Sequence, residues 1–208
     1  MKIDHTVASV FRGVYSSQEC DNLKSLMMNV GQKQQAQTYS SDDPKGSKKD
    51  VERKGYTYHT KTKLGVPLEI IPSHYTVKLD WCLQKFRIEN DIRIDVIPSH
   101  YEFQMAEYSE EGDHFIMHRD SNPAINIWNA ERKTSTCRKV SSTILLSNDR
   151  DFEGAGFRVE TADGNTVRVP LDKGDMIMFP SWLRHQVDPL VSGERFALVT
   201  WMLGDFWT

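Results

Sequence analysis

A chain of 208 residues, 38% hydrophobic and 26% charged, has the size and composition of one soluble globular domain. A formal net charge of −3 leaves no electrostatic footprint for nucleic acid or an anionic membrane surface, and no apolar run approaches the roughly 20 residues of a membrane span. Three cysteines (Cys20, Cys82 and Cys137), odd in number, far apart and without a C-x-x-C pair, argue against a disulfide scaffold or a zinc-thiolate site. They suit a reducing, cytoplasmic compartment. Asp4 and His5 interrupt the stretch where a secretory leader would need an apolar centre, so none is expected.

Taken in chain order, Val7 to Val14 has strand-like composition. Ser16 followed by Glu19 reads as a capping box, and Cys20, Leu23, Leu26, Met27 and Val30 have helical spacing, so a helix is predicted over about 17–30. Residues 32–63 are polar and charged with almost no aliphatic side chains, which predicts a solvated, partly mobile loop. Tyr39, Tyr56, Tyr58 and His59 within it suggest a lid over a site, with Tyr56 and Tyr58 as substrate contacts. Pro72 to about Asn90 reads as a second helix with Val77, Trp81, Cys82 and Phe86 on its apolar stripe. The pentamer IPSHY occurs at 71–75 and again at 97–101. It is too short for a structural repeat, and the second copy is expected to enter a strand rather than a helix.

From 94 onward the texture changes. YEFQMAEY, HFIMH, VSSTILL, FRVET, TVRVP, MIMFP and RFALVTW alternate with EEGD, SNDRDFEGAG, ADGN, DKGD and VSGE. Short strands at that spacing predict a β-sandwich or barrel. The fold expected is mainly β with flanking helices: a jelly roll packed against N-terminal helices. It is read as one domain over 1–208, with the helices and mobile loop in 1–93 and the core in 94–208.

One stretch, HRDSNPAIN at 118–126, invites comparison with a kinase catalytic loop. Asn126 arrives one position late, no G-x-G-x-x-G occurs, and the downstream candidate reads Asp151-Phe152-Glu153, so the kinase reading fails. A metal site is the stronger reading. His118 ends a predicted strand and Asp120 lies two residues on, so imidazole and carboxylate share a side. A third ligand must come from a neighbouring strand. His5, His59, His74 and His100 precede the β-rich segments, and His114 lies roughly 13 Å along the same strand. His185, opening a strand after FPSWLR, remains. Two histidines and a carboxylate on one face match the facial triad of non-haem Fe(II) oxygenases, with zinc as the competing metal. No H-E-x-x-H supplies a hydrolytic base. An oxygenase of this kind draws electrons from an α-keto diacid, whose far carboxylate needs a buried cation. Arg195, ten residues after His185 among apolar neighbours, can clamp one bidentately.

Together these residues resemble the Fe(II)/2-oxoglutarate dioxygenases of the prolyl 4-hydroxylase type. His118-x-Asp120, His185 and Arg195 in HQVDPLVSGERFALVTW carry the resemblance. So do Gly112 and Phe115 upstream, and Gly174, Asp175, Phe179 and Pro180 downstream. The segment SNDRDFEGAGFRVE is similar to the family's Asn-Asp…Glu-Gly-Gly hairpin, with Ala155 between the glycines, and the likeness covers roughly 95–204. The resemblance implies a double-stranded β-helix with Fe(II) held by His118, Asp120 and His185. It implies 2-oxoglutarate paired to Arg195, O2 as oxidant, and ascorbate as an optional addition. Tyr108 would donate to the co-substrate, with Tyr101 in reserve because Tyr108 lies one residue further from the glycine than the pattern has it. Trp201 would wall the site. Leu145 and Leu146 stand where many relatives carry a tyrosine, and the segment between Asp120 and Ser141 is longer than in compact members. Both departures touch the co-substrate or substrate side, and so bear on substrate class. The implied reaction is hydroxylation of an unactivated C–H, foremost on a peptidyl proline. A free amino acid or small metabolite stays open as substrate. So do a cupin-like metal enzyme without 2-oxoglutarate and a non-catalytic binding module. Oligomeric state is left unassigned.

Overall fold

A computed structural model describes residues 2–4, 6–36, 52–60, 68–121, 127–129 and 134–206. Strand β1 (Ser9–Phe11) leads into helix α1 (Ser17–Val30). The predicted capping box closes the start of α1: the Glu19 backbone N–H donates to Ser16 Oγ at 3.3 Å, and the Ser16 N–H donates to the Glu19 carboxylate at 2.8 Å. Helix α2 (Ser73–Asn90) starts after Pro72 and ends where Asp91 turns left-handed at φ 49°. The first IPSHY thus runs into α2, and the second runs into strand β5 (Tyr101–Tyr108).

The apolar stripe of α2 differs from the expected one. Tyr75, Leu79, Cys82, Leu83 and Phe86 are buried, whereas Val77 is 65% and Trp81 56% exposed. Both sets have helical spacing, because α2 is apolar on more than one face; periodicity alone cannot choose which set meets the sheet. Lys78 ties the helices together through Glu19 at 2.6 Å, and the Tyr75 hydroxyl donates to the Glu19 carbonyl at 3.2 Å.

The remaining strands are β2 (Gln32–Gln35), β3 (Arg53–Lys54), β4 (Tyr56–His59), β6 (His114–His118), β7 (Ile127–Asn129), β8 (Thr134–Leu145), β9 (Phe152–Gly154), β10 (Phe157–Glu160), β11 (Thr166–Arg168), β12 (Met176–Pro180), β13 (His185–Val187), β14 (Leu190–Gly193) and β15 (Arg195–Asp205). The larger sheet runs β1-β12-β8-β15-β5-β4-β2, with β7 added on β8. The smaller runs β11-β10-β13-β6-β3, and β14 pairs with β9. The ladders among the described residues are antiparallel, so strands joined by short turns carry alternating side chains to two faces.

That alternation divides the molecule into two cores. From the larger sheet, Phe103, Met105, Ile144, Met176, Met178, Phe196 and Leu198 face the helices and join Leu23, Met27, Leu79 and Phe86. Their neighbours in sequence, Ala106, Tyr108 and Ile177, turn the other way and pack with Phe157, Val159 and Val187 of the smaller sheet. The two sheets close a double-stranded β-helix whose second core is the barrel interior.

Residues 32–35, 53–54 and 56–59 correct the expectation of a solvated loop: they are strands built into both sheets. Strand β4 pairs with β5 in a register that sets Thr57 opposite Ala106 and Tyr58 opposite Met105. Tyr58 therefore enters the helix-side core and donates to the Glu107 carboxylate at 2.6 Å, and Tyr56 on the same face bonds Glu110. Neither tyrosine faces the barrel interior; Thr57 and His59 have the parity that does. Tyr39 and the rest of the proposed lid, 37–51 and 61–63, lie outside the described residues.

Candidate metal centre

His118 closes β6, and His185 opens β13 directly opposite it in an antiparallel ladder. Directly opposed side chains share a face, so the register alone brings the two imidazoles together, with ring centroids 4.2 Å apart. Asp120 follows His118 in a turn pinned by two backbone bonds: Asp120 N–H and Ser121 N–H both donate to the Ser181 carbonyl at 2.9 Å. His118 Nε2 lies 3.6 Å from Asp120 Oδ1, and His185 Nε2 lies 3.5 Å from Asp120 Oδ2. Among the described residues these three form the one cluster of potential ligands, with all donor atoms within 4.8 Å of one another.

The chemistry of the donor set fits a divalent cation. A carbonyl can only accept, so His118 Nδ1, 2.8 Å from the Ile116 carbonyl, carries its proton, as does His185 Nδ1, 3.0 Å from the Leu183 carbonyl. Each ring therefore turns Nε2, the nitrogen left to bind a metal, toward Asp120. Burial opposes an ionised Asp120, yet His185, His118 and Arg138 outweigh it and hold the carboxyl well below the usual carboxylate range. Burial, then His118, pushes the His185 imidazole down to about 4, with Asp120 pulling the other way. At neutral pH the site thus presents a carboxylate and an unprotonated His185, the forms a metal takes.

Partners that sequence could not reveal hold the set in place. Ser141 Oγ donates to Asp120 Oδ2 at 2.7 Å and lies 2.9 Å from Ser181 Oγ. Phe115 stacks on His118 at 3.5 Å, and Phe179 packs on His185 at 4.6 Å. Ser141 comes from β8 and Ser181 from the end of β12, far from His118 in sequence. No local pattern marks them.

Arg195 opens β15, is only 2% exposed, and sits opposite Tyr108 on β5 with its guanidinium 5.5 Å from that ring. Among the described residues no carboxylate lies within ion-pair distance of it, so a surface salt bridge does not account for this cation. Arg195 and Leu145 both line a cavity of about 590 Å³. Trp201 lies opposite Ser141, and opposed residues share a face, so its ring is on the side of Asp120. Arg138 stacks on that ring at 3.5 Å. Tyr101, the reserve for Tyr108, bonds Asp80 of α2 instead and faces away from the triad. Arg53, which sequence reasoning passed over, reaches the interior from β3; its guanidinium lies over Phe115 at 4.6 Å, near Asp120 and Tyr108.

A β-helix barrel holding two imidazoles and a carboxylate on one face defines the class of mononuclear facial-triad sites. Comparison with known proteins gives that class a family. Residues 103–203 match the model of the 2OG-Fe(II) oxygenase superfamily, which is named for its two cofactors, 2-oxoglutarate and Fe(II). A PKHD-type hydroxylase of Hyphomonas neptunium is 36% identical over 94 residues, which are 45% of this chain and 39% of that protein. The chain thus spans about two-fifths of the length of the curated relative it matches. A prolyl-4-hydroxylase from Pseudomonas putida superposes with a TM-score of 0.59 over 95% of this chain and 92% of its own, at 17% identity. A Trichoplax adhaerens prolyl hydroxylase, solved with a hypoxia inducible factor peptide fragment, gives 0.64 over 95% and 83%, at 13% identity. Residues 103–203 thus match the 2OG-Fe(II) oxygenase superfamily, and the fold around them is prolyl 4-hydroxylase-like.

Proposed function

We propose that this protein is an Fe(II)- and 2-oxoglutarate-dependent hydroxylase of the prolyl 4-hydroxylase kind, acting on a peptidyl proline. The observation that carries the reading is the convergence of His118, Asp120 and His185 within 4.8 Å at one end of the barrel interior that also buries Arg195. In this reading His118 Nε2, Asp120 and His185 Nε2 would hold the metal. When bound, Fe(II) with 2-oxoglutarate and O2 supplies the oxidising power to place oxygen on an unactivated C–H bond, with succinate and CO2 released. The protein's own work is placement. Arg195 clamps the distal carboxylate of 2-oxoglutarate with its planar fork, at a site too buried for water to compete. Tyr108, opposite Arg195, donates its hydroxyl to the same molecule, and Trp201 walls the side toward Asp120. Phe115, Phe157 and Phe179 surround the imidazoles with apolar surface that excludes water.

We further propose that 1–208 acts as one domain in a cytoplasmic setting. The three free, buried cysteines suit that compartment. No helix among the described residues is long and apolar enough to cross a membrane. The reading is tested by succinate release from 2-oxoglutarate with proline-containing peptides and free amino acids as partners. Turnover that needs Fe(II) and is coupled one-to-one to a peptide product gaining one oxygen supports it. Absence of any 2-oxoglutarate dependence would favour a cupin-like metal enzyme.

A further inference from the structure

The interior holds a second buried arginine that the proposed reaction does not use. Arg53 is 8% exposed. It enters from β3, opposite Phe115 of β6 in the smaller sheet, and crosses toward the larger sheet, where Gln104 Oε1 lies 3.5 Å from its Nη1. The Tyr108 hydroxyl is its other polar neighbour, and the Phe115 ring lies beneath it at 4.6 Å. Apart from the candidate metal ligand Asp120, which lies near enough to act electrostatically, its contacts are neutral, and among the described residues it has no carboxylate within ion-pair distance. Neighbouring cations are all accounted for. Arg138 is bonded to Glu102 at 2.9 Å, Arg195 is assigned to the co-substrate, and burial holds His59 in its neutral form, with Arg53 adding to that effect.

A guanidinium is rarely taken this far from water without an anion, because its desolvation is offset only by a charge-assisted partner. A second buried donor faces the same side. The Trp201 ring is 7% exposed, and among the described residues its Nε1–H has no acceptor. Trp201 stands opposite Glu102 on β5, two residues from Gln104, so the indole N–H and the Arg53 guanidinium both look onto the interior on the side of Asp120. A buried cation whose hydrogen-bond partners are neutral and an indole N–H without an acceptor, facing the same interior from the two sheets, define a receptor for an anionic oxygen pair.

We infer that Arg53, with Trp201 Nε1 facing the same interior, receives a carboxylate of the substrate itself, so that the preferred substrate is an imino or amino acid, or a peptide end, presenting a free carboxylate near the carbon to be hydroxylated. This rests on the hydroxylase reading above and replaces an internal peptidyl proline with a free or chain-terminal residue as its substrate. It also explains why β3 and β4 are built into the barrel: the segment that looked like solvent-exposed loop delivers the group that selects the substrate.

The test uses the matched probes N-acetyl-L-proline and N-acetyl-L-prolinamide, which differ in charge and hardly in size. Binding is followed by the indole N–H signal of Trp201 with Zn(II) and 2-oxoglutarate present, so that no turnover intervenes. The native protein should bind the carboxylate at least about tenfold more tightly than the amide. Arg53→Gln should erase that preference. Arg53→Lys, which keeps the buried charge and guards against simple misfolding, should retain part of it. The affinity for 2-oxoglutarate, titrated separately, should change less than about twofold in either variant. Equal binding of the two probes, no binding of the carboxylate, or an undiminished preference in Arg53→Gln would each overturn the inference. So would a loss confined to 2-oxoglutarate affinity, which would make Arg53 a co-substrate residue. Failure of the native protein to bind metal and 2-oxoglutarate at all would instead remove the hydroxylase reading, and the separate titration distinguishes the two.

Discussion

At the scale of single residues, the candidate site divides into what chain proximity reveals and what only folding reveals. His118 and Asp120 are two residues apart and were legible as a pair. His185 and Arg195 were reached because each opens a strand and the barrel had to supply a third ligand and a cation. Ser141 and Arg53 were not legible: a serine on a strand or an arginine in a polar stretch carries no signal until the register sets it against Asp120 or inside the barrel. Ser141 gives a direct prediction. Its hydroxyl donates to Asp120 Oδ2 at 2.7 Å, and groups that orient metal ligands typically tune affinity by about 10–100-fold. Ser141→Ala should weaken Mn(II) binding, measured by calorimetry, about tenfold, with the fold intact by circular dichroism. Unchanged affinity would show that Asp120 is held by its backbone alone. Arg195 gives another. Arg195→Ala leaves the co-substrate carboxylate unpaired in a buried place, a cost of about 2–5 kcal/mol, so the dissociation constant of 2-oxoglutarate should rise at least about tenfold. Arg195→Lys should fall between, and Mn(II) affinity should not move.

At the scale of elements, helix α1 shows how much a local code can specify. Ser16, Glu19 and the spacing of Cys20, Leu23 and Met27 predicted its bounds, and both capping bonds are made. The same glutamate reaches Lys78 of α2, and the Lys78 hydrogen bond, followed by the Ser16 backbone bond, draws its carboxyl down from 4.5 to about 2. A carboxyl depressed on folding adds stability above its unfolded pKa and loses it as pH falls through the folded one. Glu19→Gln should therefore cost roughly 0.5–1 kcal/mol near pH 7, discounted for solvent screening, and the gap to the native protein should narrow between about pH 4.5 and 2. Chemical denaturation across that range checks it; a gap that does not depend on pH would assign the effect to packing. Strands β2, β3 and β4 teach the opposite lesson. Gln32–Gln35 are all exposed on an edge, and β3 is two residues long, so neither hydrophobic alternation nor length could flag them. Strand β4 is held by β5, β3 by β6, and β2 in turn by β4, so the information that makes them strands lies elsewhere in the chain. The expected stripe of α2 is right at Cys82 and Phe86 and wrong at Val77 and Trp81, which have the spacing of a buried face, but the sheet took the side bearing Leu79, Leu83 and Phe86.

At the scale of the whole molecule, one sheet serves two cores, with helices on one face and the barrel interior on the other. Loss of either core should then unfold both. Phe86→Ala on the helix side and Phe157→Ala on the barrel side each remove a buried aromatic ring, at about 3–5 kcal/mol. Each should lower the midpoint of a single thermal transition, seen identically by far-ultraviolet circular dichroism and tryptophan fluorescence. Two separable transitions would contradict the one-domain reading. The jelly roll was legible because its strands are short, alternating and separated by Gly-Asp-type turns, and it is the pairing of β6 with β13 that sets His118 against His185. The central claim is that those two histidines and Asp120 hold Fe(II) in a form that 2-oxoglutarate chelates, and the most direct measurement is anaerobic absorption spectroscopy of the purified chain. With Fe(II) and 2-oxoglutarate the account predicts a weak visible charge-transfer band in the native protein, saturating at one Fe(II) per chain, and none in folded His118→Ala or His185→Ala. A band of full strength in both variants, or no band in the native protein at saturating Fe(II) and 2-oxoglutarate, would contradict it.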